Sequence, residues 1–272
     1  MDLTRREFIA DLPLLAYLLG HPLELAKTPR ILINPGHNKR TANAPGERYI
    51  SGVGSEHELN TRISEKLANE LASRSGIEAV LSRDDAEYTK EIRDFYSPNR
   101  MQLEREVRNY RRAHKPTTNL TVEDAALQLG ILKWANMSGF DAVVNIHINF
   151  YGDEDPKRKS SGFAVFFSDI NSPKSSMDLA LRIYNSLKER FIPSNNESES
   201  MRGSTSPITL RGIATNRLIM TGSELHPVQV PSVMIECGYL GQKYADGKTI
   251  ADSQVQRAYA QQISKGIIRY FG

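Results

Sequence analysis

What this chain has little of narrows its function before any motif is read. Its 272 residues include a single cysteine, Cys237. That excludes an intrachain disulfide framework and any metal site built on several thiolates. No apolar run reaches the roughly 18 residues of a standard membrane-spanning helix. No internal repeat and no low-complexity tract is present, which excludes solenoids and propellers. Charge of one sign is scarce as well. The formal net charge is +3, far from the dense basic face of a nucleic-acid-binding protein. What is present is ordinary. Hydrophobic residues make up 39% and charged residues 25%, the composition of a globular chain long enough to bury a substantial core.

The N-terminus reads in two ways. Thr4-Arg5-Arg6-Glu7-Phe8-Ile9 precedes the apolar run from Leu12 to Gly20, and an arginine pair before a short apolar segment resembles a twin-arginine export signal. Asp2, Glu7, Asp11 and Glu24 outnumber Arg5 and Arg6, and no Ala-x-Ala cleavage site follows. Residues 1–26 are thus either such a signal or an N-terminal helix, and 30–272 forms the rest as one domain.

Along that domain, periodicity separates strands from helices. Arg30-Ile31-Leu32-Ile33 is a buried strand halted by Asn34-Pro35-Gly36. Leu59, Ile63, Leu67 and Leu71 mark one face of a helix over about 57–74. Ile77 to Leu81 reads as a strand, and Thr121-Val122-Glu123-Asp124 as a capping box opening a helix to about Met137. Ala142 to Ile148, Phe163 to Phe167 and Val230 to Ile235 are strand-like. Leu179, Ile183, Leu187 and Phe191, and then Val255, Tyr259, Ile263 and Ile267, set two further helices. Residues 85–120 read as a charged, irregular insertion with helical character around Met101, Leu103 and Val107, and residues 192–210 as a long mobile loop. Strands alternating with helices predict an α/β fold with a largely parallel sheet.

The informative feature is what ends these strands. The first runs into His37, the Ala142 strand into His147, and the Val233 strand into Glu236. In a parallel α/β sheet the C-terminal strand ends gather along one edge, where ligands bind. Glu56, at the start of the helix after the first strand, reaches the same edge. Two histidines and a carboxylate with an open fourth position form a catalytic zinc ligand set, needing no thiolate. A further carboxylate beside the bound water serves as proton acceptor and later donor. His57-Glu58 does not open a His-Glu-x-x-His zinc helix, because position 61 is Thr.

Five segments together resemble the zinc-dependent N-acetylmuramoyl-L-alanine amidases, cell-wall hydrolases of the amidase type 3 family. Ile31-Leu32-Ile33-Asn34-Pro35-Gly36-His37 is similar to the family's opening hydrophobic-Asp-Pro-Gly-His strand, and Glu56-His57-Glu58-Leu59-Asn60 to its Glu-x-x-x-Asn helix start. Val80-Leu81-Ser82-Arg83-Asp84 resembles its Val-x-Thr-Arg-Asp strand end. Ala135-Asn136 with Asn145-Ile146-His147-Ile148-Asn149 resembles its Ala-Asn and Ser-Ile-His-Ala-Asn pair. Pro231 to Leu240 resembles its Pro-Ala-Val-Leu-Val-Glu-x-Gly-Phe-Leu block. The matches fall in the family's order across 31–84 and 121–270.

The resemblance implies a six-stranded mixed sheet flanked by helices. It implies that His37, Glu56 and His147 hold Zn2+ and that Glu236 is the catalytic carboxylate. It implies hydrolysis of the amide between the lactyl group of N-acetylmuramic acid and L-alanine in peptidoglycan, in the periplasm or cell envelope. A regulatory protein is a further candidate partner; no nucleic acid and no spanning membrane segment is expected. Three features depart from the family: Asn34 replaces its Asp, Asn38-Lys39 replaces its Gly-Gly beside the metal, and the 85–120 insertion and 192–210 loop are long. The competing functions are a zinc peptidase acting on free peptides and a non-catalytic wall-binding protein.

Other residues have plainer readings. Cys237, next to Glu236, points in a strand to the opposite face and so toward core packing. His226 sits in a loop with Pro227, and His21 and His114 lack functional context. Arg100, Arg105, Arg108, Arg111, Arg112 and Lys115 cluster around Tyr110 against only Glu104 and Glu106. They form either a solvated helix face or a surface for a polyanionic wall or a regulator.

Overall fold

Apolar strands and one-sided helices each leave a face to bury, and a sheet covered on both sides by helices buries them all. The computed structural model describes residues 27–38, 49–50, 53–74, 76–85, 87–113, 121–150, 161–168, 172–195, 200–202, 209–215, 229–240 and 245–272. In chain order the elements are β1 (Arg30–Pro35), β2 (Tyr49–Ile50), β3 (Gly54–Ser55), α1 (Glu56–Arg74), β4 (Glu78–Leu81), α2 (Lys90–Ala113), α3 (Val122–Met137) and β5 (Ala142–Phe150). They continue with β6 (Ala164–Phe167), α4 (Pro173–Leu187), β7 (Ser200–Arg202), β8 (Thr209–Arg211), β9 (Ile213–Thr215), β10 (Ser232–Leu240), α5 (Ala245–Ile250) and α6 (Ser253–Phe271).

The body of the sheet is six strands in the order β4-β1-β5-β10-β6-β9, and the short pair β7-β8 extends it past β9. β4, β1, β5 and β10 run parallel, β6 is antiparallel to β10, and β9 is parallel to β6. This is the single α/β domain with a mixed, mostly parallel six-stranded sheet that the sequence implied, lengthened by one hairpin. Because the four parallel strands share a direction, the C-terminal ends of β1, β5 and β10 lie side by side.

One face of the sheet is covered by α1, α4 and α6. Leu59, Ile63, Leu67 and Leu71 of α1 meet Ile31, Ile33, Val144 and Ile146 in the main core, joined by Leu179, Ile183 and Leu187 of α4 and Tyr259, Ile263 and Ile267 of α6. The spacing expected for each helix is therefore the spacing that is buried. The other face is covered by α3, through Ile131, Leu132 and Ala135 against Leu32 and Val143. Outside α3 lies α2, whose Leu103 and Val107 pack on Ala125, Ala126 and Leu129. Sandwiched between sheet and helix, α3 is buried nearly all round.

Two expectations are corrected. The insertion is not irregular, since Lys90–Ala113 is one helix of 24 residues. Only Ile92, Leu103 and Val107 are buried among its charged residues, and Pro98 stands inside it, so its apolar stripe is too sparse to read as a long helix. The segment 192–210 is not all loop either, because it contains β7 and the start of β8. Both strands are three residues long, too short for an alternation to register. The N-terminal reading of 1–26 lies outside the described residues, as do His21, His114, Lys115 and His226. Among the described residues no helix is long and apolar enough to cross a membrane.

Where α6 crosses α4, a Cβ added at Gly266 would lie 2.5 Å from Ile183 Cα and 2.8 Å from its backbone nitrogen. Backbone atoms cannot swing aside as a side-chain tip can. Gly266→Ala is therefore expected to destabilise the protein by about 1–3 kcal/mol through overpacking, although Ala favours a helix interior over Gly by roughly 1 kcal/mol. Urea unfolding checks this; a midpoint equal to or above the parent's contradicts the close α4–α6 packing.

Candidate metal centre

The site begins where β1 stops. Gly36 N–H donates to the Ile146 carbonyl at 2.7 Å, so the turn after β1 is held against β5. His37 then adopts φ 58°, a left-handed conformation costing a non-glycine residue roughly 1–2 kcal/mol. The turn is held by two buried side chains that donate to the Gly36 carbonyl, Asn60 Nδ2 at 3.1 Å and Arg83 Nη2 at 2.9 Å. Arg83 Nε also donates to Pro35 O at 3.3 Å, and its Nη1 to Thr61 Oγ1 at 2.7 Å and Asp84 O at 3.0 Å. Burial pulls the Arg83 pKa down to about 10, which leaves it charged at neutral pH. Position 36 must be glycine for a separate reason: a Cβ there would stand 2.3–2.5 Å from the His147 ring.

The second component comes from the start of α1. Ser55 and Glu58 form a reciprocal capping box, with Ser55 N–H donating to Glu58 Oε2 at 3.1 Å and Glu58 N–H to Ser55 Oγ at 3.2 Å. The Glu58 carboxylate is thereby committed to the helix end. Glu56, in the first turn, turns inward and is buried. Its Oε1 lies 3.0 Å from His37 Nε2 and 3.9 Å from His147 Nδ1.

The third comes from β5. Ala142, Val144, Ile146 and Ile148 face the main core, so strand alternation sends Asn145 and His147 to the other face. His147 is 5% exposed. Burial, reinforced by His37 nearby, pulls its pKa down to about 3, so the ring is neutral near pH 7 and offers the lone pair that a metal requires. The His37 and His147 rings meet edge-on with centroids 5.4 Å apart. One ligand atom from each of His37, Glu56 and His147 lies within 4.8 Å of the others, and the group is open only at His37. Its side chain is 28% exposed, against 4% for Glu56 and 6% for His147. Two imidazoles and one carboxylate, converging from three separate elements with one accessible side, fit a divalent cation that keeps a coordination position open.

Glu236 stands beside this group and is not a member of it. In the parallel pairing of β10 with β5, Glu236 is opposite His147, and paired residues of neighbouring strands share a face. It is 8% exposed. Directly after it the register shifts before Tyr239, and Gly238 takes φ 143°. This irregularity ends regular pairing at the site, a common use of a bulge. Cys237 lies in the main core on the opposite face. Burial, with Glu236 adjacent, pushes its thiol well above the usual range, which rules it out as a nucleophile.

Several supporting residues were not found by sequence reasoning. Asn34 Nδ2 donates to Gln128 Oε1 at 3.1 Å and Asn145 Oδ1 at 2.9 Å, and its Oδ1 accepts from Ser82 Oγ at 2.6 Å. Asn145 Nδ2 donates in turn to Val233 O at 3.0 Å. A carboxylate at 34 could accept from Ser82 but could not donate to either amide oxygen, which accounts for Asn at this position. The Ser-x-x-Glu signature at 55–58 was present to be read; the network around Asn34 has no sequence signal. On α2, Arg100 and Arg108 both pair with Glu104, at 2.8 and 2.6 Å, and Arg100 also reaches Glu123 at 3.3 Å. That is the arrangement of a solvated, salt-bridged helix face.

A family model described as N-acetylmuramoyl-L-alanine amidase matches residues 31–269. A search of curated proteins by sequence finds no match. Among solved structures, an N-acetylmuramoyl-L-alanine amidase from Clostridium difficile 630 aligns at 20% identity and TM-score 0.56, covering 90% of this chain and 97% of its own. The amidase AmiC2 of Nostoc punctiforme aligns at 22% identity and TM-score 0.55, covering 89% and 97%. The CwlD amidase of Clostridioides difficile, solved in complex with the GerS lipoprotein, aligns at 22% identity and TM-score 0.56, covering 90% and 98%. At these identities the likeness shows a shared fold.

The two neighbouring carboxylates have separable tasks, and stability measurements tell them apart. Glu58→Ala removes half of the capping box and is expected to cost about 0.5–2 kcal/mol. Glu58→Gln, which can still accept from Ser55 N–H, is expected to keep most of that stability. Equal stability of Glu58→Ala and parent in urea unfolding contradicts the capping role.

Proposed function

Because the chain belongs to the N-acetylmuramoyl-L-alanine amidase family and is therefore a peptidoglycan amidase, we propose that it works with a zinc ion held by His37, Glu56 and His147. The bond it hydrolyses on this reading is the amide between the lactyl group of N-acetylmuramic acid and the stem-peptide L-alanine. The observation that carries the proposal is the convergence of these three ligand atoms within 4.8 Å, from residues distant in the chain. The donor set supports this metal, since imidazole suits zinc and two imidazoles with one carboxylate and a free position form a known catalytic zinc set.

The chemistry a zinc ion would supply at such a site is Lewis acidity, which would lower the pKa of a water toward neutrality and polarise the scissile carbonyl. The remaining work falls to the chain. Glu236, buried beside His147 at the end of β10, accepts the proton of the attacking water. It then delivers that proton to the leaving nitrogen of L-alanine. Positioned proton transfer of this kind contributes roughly 10²–10⁴ in rate. The low exposure of Glu236 and His147 lowers the local dielectric and strengthens electrostatic interactions made there. The clamp of Arg83 and Asn60 on Gly36 O holds His37 in its left-handed turn, facing Glu56.

The substrate also fixes where the enzyme acts. Peptidoglycan lies in the periplasm or cell envelope, so on this reading residues 1–26 serve as a twin-arginine-type export signal. A regulatory protein is a further proposed partner.

Glu236→Ala is expected to keep the parent's zinc content and to lose about 10²-fold or more in the release of L-alanine amino termini from purified sacculi. His37→Ala is expected to lose zinc and turnover together. Elemental analysis and end-group analysis check both. Full activity of Glu236→Ala removes it as the base, and an undiminished zinc content in His37→Ala removes that residue from the ligand set.

A further inference from the structure

A second concavity opens beside the metal centre. It is a cavity of about 380 Å³, within the range of small ligand sites, roughly 300–1,000 Å³. Its wall starts one residue from two of the proposed ligands, since Asn38 follows His37 and His57 follows Glu56. The far wall is Glu87, Tyr88, Arg93 and Tyr96, all from the 85–120 insertion. Gly130 of α3 lets Tyr96 approach, since a Cβ there would come within 3.2 Å of its ring.

The charge of this lining is one-sided. Two guanidiniums, Arg83 and Arg93, face one carboxylate, Glu87. Arg93 Nη1 donates to Glu87 Oε2 and to Tyr88 O. Among the described residues its Nε and Nη2 donors carry no bond, and the side chain is 48% exposed. Arg83 uses one of its two Nη2 hydrogens on Gly36 O. An excess of one positive charge, with guanidinium donors to spare next to the reaction centre, suits a carboxylate of the substrate. In peptidoglycan the lactyl carboxyl is consumed by the amide bond, so the free carboxylates near that bond belong to the stem peptide.

We propose that this cavity is a stem-peptide subsite in which Arg93 binds a free carboxylate of the peptide, so that the insertion makes the enzyme selective for stem peptides whose carboxylates are not amidated. The proposal rests on the amidase reading and deepens it. The test compares purified sacculi with the same sacculi after their carboxylates are converted to carboxamides, scoring released L-alanine amino termini with the full chain loaded with zinc. The parent is expected to cleave the carboxylate form about tenfold faster or more, the scale of one charge-assisted hydrogen bond. Arg93→Ala is expected to bring that ratio close to one, and Arg93→Lys to restore part of it. Arg105→Ala, which removes an equal charge from an exposed position of α2 outside the cavity, is expected to keep the parent's ratio. Equal rates on both forms for the parent, or an unchanged ratio in Arg93→Ala, overturns the subsite. A parent that releases no L-alanine termini from either form overturns the amidase reading itself.

Discussion

The buried guanidinium of Arg83 is the constraint on which the site depends. It is 2% exposed and joins three segments that meet nowhere else in this way: the end of β1 through Pro35 O and Gly36 O, the first turns of α1 through Thr61 Oγ1, and the chain leaving β4 through Asp84 O. Burying such a charge is unfavourable unless its donors are satisfied. Here four of the five N–H groups reach protein acceptors, and the planar fork reaches acceptors on different segments that a lysine's point charge could not span. The desolvation cost is offset locally, and the carbonyls of a tight turn gain donors that the sheet cannot supply.

That clamp explains how candidate ligands from separate elements converge. A catalytic metal site needs donor atoms placed to a few tenths of an ångström by supports that do not yield. His147 is placed by the interior of the sheet, with β1 and β10 paired on either side of it. Glu56 is placed by a helix end that Ser55 and Glu58 terminate sharply. His37 is the weak member, because it lies two residues beyond the end of β1 and sits in a strained backbone conformation. It is also the member that receives the clamp. Strain of this kind persists only where the surroundings over-determine it, and two side-chain donors on Gly36 O together with the Gly36–Ile146 bond do so.

Much of this was legible in the sequence because it follows local rules. The helix faces of α1, α4 and α6 came from four-residue spacing, and the strand ends at His37, His147 and Glu236 followed from apolar runs that stop at polar residues. Cys237 was assigned to the core by alternation alone, and it is there. What escaped reading was non-local or sparse. The Asn34 network joins β1, the residue after β4, α3 and β5, and no sequence spacing encodes such a meeting. α2 escaped because three buried residues in a helix of 24 leave almost no periodic signal. Its stability comes from lying on α3.

The same contrast explains why the departures from the family pattern leave the candidate ligand set intact. Asn34 is engaged in a buried amide network, where its amide nitrogen donates twice. Asn38 is 8% exposed and lines the cavity, beside the buried hydroxyl of Tyr88. A side chain larger than glycine after His37 needs somewhere to go, and the space is bounded in part by residues that the insertion brings. Position 38 and the insertion therefore form one structural unit: the bulk at 38 becomes a wall of a pocket that exists only because α2 is present. The bulk after His37 is thus accommodated at the margin of the candidate site, against the cavity wall, and not among His37, Glu56 and His147.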